Sequence, residues 1–320
     1  MKRLAMLATI LMVATSCDKA KAFLESGQAA GPPQVDPGEA LDLASNPTIL
    51  FQVFGESTDP RMIPVAAVQS GRLRHINLSH EGWQHFDAMF LRRGKTYTLY
   101  RDGLPIGAAT VKQGMWEREE PLYSLPGCQT LTPLAAVSLD KNLKTDFTVE
   151  FLATADTLSK GRPTRAVSKA DLTRQARAVA YAAGEPAGIT KAMLDSLDFR
   201  AMAVPTGASG APTLVASFID PTAEDPSTHS GQMVHLFMVA EQDSTGQYQA
   251  SYVHRINGPL ATAAFRRYSD HADLTGDGID EIVLEGWQYR GDTFLLVVGF
   301  VNGEWREVFR SRTNWCLDER

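Results

Sequence analysis

The residues whose types and spacing could do chemistry lie near the C-terminus, in the run Asp273-Leu274-Thr275-Gly276-Asp277-Gly278-Ile279-Asp280-Glu281. With Asp273 as the first position, oxygen-bearing side chains fall at positions 1, 3, 5 and 9. Calcium takes about six to eight oxygen ligands, and a short loop presents that many only by curling round the ion. Gly278 permits the sharp reversal, after which the carbonyl of Ile279 can turn inward. Asp273, Asp277 and Glu281 crowd three carboxylates together, an arrangement that a cation relieves. The expected metal set is Asp273, Thr275, Asp277, Ile279 and Glu281, with calcium as the ion.

An EF-hand needs a Glu at position 12 and helices on both sides. Position 12 here is Leu284, and the flank Ile282-Val283-Leu284 reads as a strand. The motif instead resembles the calcium loop of FG-GAP and VCBS-type repeats, Asp-x-(Asn/Asp)-Gly-Asp-Gly-x-x-Asp followed by a strand. The resemblance covers the loop and its hairpin, residues 273 to 309. Thr275 stands where that pattern has Asn or Asp, and Glu281 is one methylene longer than its Asp. The resemblance implies a β hairpin stiffened by calcium.

A second chemical handle sits at the other end of the chain. Lys2 and Arg3 precede an apolar run from Leu4 to Val13, then the small residues Ala14, Thr15 and Ser16, then Cys17. This is the build of an export signal. With the cysteine in that place it resembles the lipobox of bacterial lipoprotein precursors, with Ala14 where Leu is usual. The resemblance implies cleavage before Cys17, diacylglycerol on its thiol, and anchoring to membrane lipid in the cell envelope, facing the periplasm or exterior. An ordinary secretory signal cut after Ser16 is the alternative. Asp18 resembles an inner-membrane retention signal whose rule depends on lineage, so the choice of membrane stays open. Cys128 and Cys316 remain; in an oxidising compartment they can form a disulfide, with two buried free thiols as the alternative.

Other residues give less. His75, His80 and His85 are five apart, whereas ligand pairs on a helix need four. No serine stands in a Gly-x-Ser-x-Gly elbow, and no zinc-type or phosphate-binding spacing is present. The formal net charge of −6 speaks against nucleic acid as a partner. No apolar run of about 18 residues follows the signal. An apolar share of 44% is enough for a real core.

The elements that must position these residues read as α+β, mainly β. We expect a signal over 1–16, a lipid-tethered linker over 17–46, a mainly β domain over 47–162, and a helix plus β domain over 163–320. The first β domain starts with a strand at Ile49–Phe54 and two strands within Pro64–Ile76 separated by Ser70-Gly71, and its clearest hairpin turns at Asp102-Gly103. Trp83, Phe86, Phe90 and Leu91 recur at helical spacing, which predicts a short helix over the sheet. Ser168 with Asp171 caps a helix whose apolar face runs from Leu172 to Ala183 and stops at Gly184 and Pro186. A second short helix covers about Thr190–Leu197. Strands follow at Thr213–Ile219, Val234–Glu241, Tyr248–Ile256, Glu281–Glu285, Phe294–Val301 and Trp305–Phe309, the last two joined by Asn302-Gly303. Thr206-Gly207-Ala208-Ser209-Gly210 and Thr275-Gly276-Asp277-Gly278 each precede a strand, about 69 residues apart. That repeat predicts propeller-blade-like or meander hairpins.

The function expected from these readings is a non-enzymatic envelope module for binding or assembly, with a protein or glycan partner. An envelope hydrolase built from scattered residues, and a purely structural lipoprotein, are the alternatives. If Cys17 carries lipid, the protein partitions into the detergent phase, and Cys17→Ser blocks processing or releases it. A Cys17→Ser chain that is still cut and still membrane-bound would end this reading.

Overall fold

Short apolar strands and tight turns build the first half of the chain into a ring. The computed structural model describes residues 40–115, 134–155, 158, 167–223, 231–288 and 293–311, all within one compact unit, Val35–Arg320. Its first sheet contains β1 (Thr48–Glu56), β2 (Arg61–Gln69), β3 (Arg72–Arg74), β4 (Thr96–Arg101), β5 (Leu104–Gln113), β6 (Ala135–Leu139) and β7 (Thr148–Thr154). The antiparallel order is β1-β7-β4-β5-β6-β2-β3, and β1 also pairs with β2. Six strands therefore close into a barrel without a free edge, and β3 extends β2 as an arm. Phe51, Val53, Met62, Leu99, Val111, Val137 and Phe151 fill the interior. Helix α1 (His80–Phe90), capped by Ser79, adds Trp83, Phe86 and Phe90 to that core. The Tyr97 hydroxyl donates to the Phe90 carbonyl and fastens the helix to the barrel wall. Leu41 and Leu43 join the same core, so the folded body begins inside the span expected for the tether.

The second half is helical first. Helix α2 (Lys169–Gly184) starts where the Ser168 side chain accepts from the Asp171 N–H and donates to its carboxylate. The short helix α3 (Lys191–Asp195) follows. Then come two four-stranded antiparallel meanders. The first holds β8 (Asp198–Val204), β9 (Thr213–Ile219), β10 (Gln232–Gln242) and β11 (Tyr248–Pro259). The second holds β12 (Ala264–Ala272), β13 (Glu281–Gln288), β14 (Thr293–Val301) and β15 (Glu304–Arg310). Ala176, Ala180 and Ala183 let α2 lie close against Leu214, Phe218 and Leu236 on one face of the first meander. Val215, Phe237 and Val239 on its other face meet Ile282, Leu284 and Leu296 of the second. The far face of the second, with Val283, Leu295 and Val297, packs on Leu50, Val65 and Leu152 outside the barrel. Both faces of β13 and β14 are thus covered, which is why they read as continuous apolar runs.

The mainly β class expected from the sequence holds: 51% of the described residues are strand and 18% helix. The repeat holds as well. Residues 205–212 join β8 to β9 and residues 273–280 join β12 to β13, the same place in each meander. Strands β8 and β12, which open the meanders, and β6 and β7, which complete the barrel, were not assigned from sequence.

The barrel touches the second meander at the β4–β5 turn. Asp102 and Gly103 have φ of 50° and 70° there. The Gly103 N–H donates to Asp270 Oδ1 at 3.0 Å, and a Cβ on Gly103 would stand 2.6 Å from His271 Nε2. Gly103→Ala combines a left-handed backbone with overpacking, and should cost about 2–4 kcal/mol. Denaturant unfolding checks this. A cost below about 1 kcal/mol would mean that the turn does not bear on the sheet.

Candidate functional site

The predicted calcium loop folds upon itself. Asp273 Oδ1 accepts from the Gly276 N–H at 2.8 Å and Oδ2 from the Gly278 N–H at 3.1 Å. Glu281 Oε2 accepts from the N–H groups of Leu274 and Thr275 at 2.8 and 3.3 Å, while its Oε1 takes the Thr275 hydroxyl at 2.8 Å. Asp277 is exposed and accepts from the Ile279 N–H at 2.8 Å. Gly276 and Gly278 have φ of 78° and 87°, the left-handed backbone that the turn requires. Thr275 and Glu281 are therefore brought into contact, Asp273 closes on the loop backbone, Asp277 is exposed with its charge still acting on Glu281, and Ile279 packs between the meanders. Among the described residues, no three carboxylate, imidazole or thiol side chains converge on one point. The donor chemistry still fits a hard cation. Asp273 and Glu281 are both buried, and burial pushes the Glu281 carboxyl up to about 7. Cys17, Cys128 and Cys316 lie outside the described residues.

The equivalent loop of the first meander also holds a carboxylate, by neutral groups. Glu241 accepts from the hydroxyls of Ser209 (2.7 Å) and Thr213 (2.6 Å) and from the Trp305 indole (2.8 Å). The two loops meet where the Asp280 N–H donates to the Thr206 carbonyl at 2.9 Å.

The three sheets together line an open cavity of about 320 Å³. Its walls come from β4 and β7 of the barrel, from β8, β9 and β10, and from β12. A bulge shapes the β12 wall: Tyr268 pairs with Leu284 and Asp270 with Val283, leaving Ser269 without a partner rung. Cross-strand partners share a face. Tyr268 and His271 therefore lie on the side of Leu284 and Ile282, toward the first meander, while Asp270 lies with Val283 on the barrel side. Three residues apart on a regular strand, Tyr268 and His271 would point opposite ways; the extra residue brings them together. The Tyr268 hydroxyl and His271 Nδ1 share a hydrogen bond of 2.7 Å. His271 Nε2 lies 3.7 Å from Asp280 Oδ2, beyond hydrogen-bonding distance.

Burial sets the protonation of this group. It lowers His271 to about 4, so the imidazole is neutral at pH 7 and does not form an ion pair with Asp280. It raises Asp270 to about 6, against the pull of the Gly103 and His271 N–H groups, which favour the charged carboxylate. Neither the cavity nor this cluster was found from sequence. The Asp102-Gly103 turn was identified, but a turn dipeptide does not reveal what it docks on.

These shifts predict a pH dependence. Folded Asp270 keeps its proton to about pH 6, against an ordinary value of 3.8. Its contribution is therefore present at low pH and declines as pH rises toward 6. Folded His271 loses its proton near 4, against 6.5. Its contribution grows as pH rises through that window. Between about pH 4 and 6 the two oppose. Asp270→Asn keeps the acceptor and removes the declining part, so stability of the variant should climb more steeply with pH, by up to about 1.4 kcal/mol per pH unit. Parallel slopes for variant and parent in urea titrations would refute the assignment. In comparison with known proteins, no family model, no curated protein and no solved structure matches this chain.

Proposed function

We propose that the chain is an exported lipoprotein, anchored to membrane lipid through Cys17, whose folded body is a ligand-binding module of the cell envelope with a calcium-stabilised second meander. The observation that carries the binding role is the cavity at the junction of the three sheets. Its volume of about 320 Å³ falls in the range of small-molecule sites, and such sites favour junctions between structural units. The wall mixes apolar side chains such as Leu152, Met202 and Phe237 with six charged ones, so it offers a ligand both an apolar surface and polar atoms that can orient it.

Asp273, Thr275, Asp277, the Ile279 carbonyl and Glu281 would hold the calcium. Bound there, the ion supplies positive charge that offsets the buried carboxylates. The supporting observation is that Asp273 and Glu281 are both buried within one short loop, where N–H and hydroxyl groups donate to them.

A hydrolase is the second reading. In its favour, Asp102, Glu150 and Asp270 line the cavity, and burial holds Asp270 near 6, a useful range for a proton donor. Against it, Asp270 is already bonded to two backbone N–H groups, which fits docking better than catalysis.

One titration series tests the module. Millimolar calcium should raise the melting temperature by a few degrees, and Asp277→Ala, at an exposed position, should abolish the rise without unfolding the chain. A mixed panel of small aromatic fragments should shift the methyl NMR signal of Met202 inside the cavity. A flat calcium response reduces the loop to a turn. An unmoved Met202 removes the binding role. Turnover of a fragment would select the hydrolase.

A further inference from the structure

We propose that the cavity takes a small molecule bearing a carboxylate or phosphate, captured by Arg101 and Arg200. This rests on the reading of the cavity as a binding site and adds the class of its ligand. The charged groups on the wall divide by what already holds them. Asp270 accepts from the Gly103 and His271 N–H groups at 3.0 and 2.8 Å. Glu150 accepts from the Gln52 amide at 3.0 Å. Asp102 faces the Tyr268 hydroxyl at 3.5 Å. Arg267 is ion-paired with Glu285. Arg101 and Arg200 line the same cavity, and among the described residues neither has a carboxylate partner.

Their settings suit capture of an oxyanion. Arg101, the last residue of β4, borders the cavity at the end of the barrel, with its Cζ 4.8 Å from the centroid of the Phe151 ring. Arg200 stands on β8 opposite Ser217, which stands opposite Phe237 on β10. Guanidinium, hydroxyl and ring therefore cross the first meander at one level, and all three line the cavity. Planar guanidinium groups match the two oxygens of a carboxylate or phosphate, which a point charge does not. Met202 and Val215 on the neighbouring rung, with Leu152 from the barrel, supply an apolar surface for the rest of the ligand. A cavity of about 320 Å³ is at the small end of ligand sites, so the ligand is a single small molecule.

The test uses the full chain with labelled methionine methyl groups. Met202 is followed by NMR during titration with benzoate, phenyl phosphate and uncharged benzamide. At least one acid should bind at least about tenfold more tightly than benzamide, and the tighter of the two assigns the oxyanion. Arg101→Gln and Arg200→Gln should each weaken the acid about tenfold or more, the loss expected for a charge-assisted hydrogen bond. Both residues are exposed, so the melting temperature should stay as it is. Equal affinity for acid and amide, or full acid affinity in both arginine variants, overturns the ligand class while leaving the cavity as a binding site. A Met202 signal that none of the three probes moves overturns both.

Discussion

The contact between Asp270 and the Gly103 N–H joins two sheets whose residues are 167 apart in the chain, and much of the architecture depends on it. A buried carboxylate without a cation beside it is costly unless hydrogen bonds replace its water. Here the backbone does so, through Gly103 from the barrel and His271 from β12 itself. The bulge at Ser269 makes this geometry available, by sending Asp270 toward the barrel and Tyr268 with His271 toward the first meander. Glycine at position 103 is needed twice: for a φ of 70° and for the space that His271 takes. One irregular strand thus sets where the barrel docks and forms one wall of the cavity.

The parts of this fold that could be read from sequence are those written in local chemistry. Asp102-Gly103 and Asn302-Gly303 adopt the left-handed turns that their residue types favour. Ser168 caps α2 through Asp171, as the spacing implied. Trp83, Phe86 and Phe90 do bury one face of a helix. Strand β12 was not legible because its sequence, Ala264–Ala272, carries two arginines, a bulge and a polar centre that break the period of two. Barrel closure was not legible because β1 pairs with β7 about a hundred residues away, and no local pattern announces such a pairing. The site suffers from the same limit. Arg101, Arg200 and Tyr268 are unremarkable surface-type residues until three sheets bring them round one space.

The two meanders show how one scaffold accommodates different loops. Each holds a carboxylate close to the first connection of its sheet. Glu241 is surrounded by Ser209, Thr213 and Trp305, a neutral donor shell that leaves little need for a cation. Glu281 relies on Leu274 and Thr275 and has the charge of Asp277 nearby, an arrangement with a surplus of negative charge. The sheet geometry is shared, and the chemistry resides in the few side chains of each loop.

The closed barrel also orders the events of folding. Each meander is a chain of nearest-neighbour hairpins, so its pairings need only short loops to close. The ring is different: β1 cannot find β7 until everything between has been synthesised and gathered, and the entropy of that long closure comes before its hydrogen bonds form. The contact from Gly103 to Asp270 spans further still. The meanders are therefore the fast local units, and the ring closure with its docking is the slow step. Until that step occurs, the outer face of the second meander, Val283, Leu295 and Val297, stays open to water and to other chains.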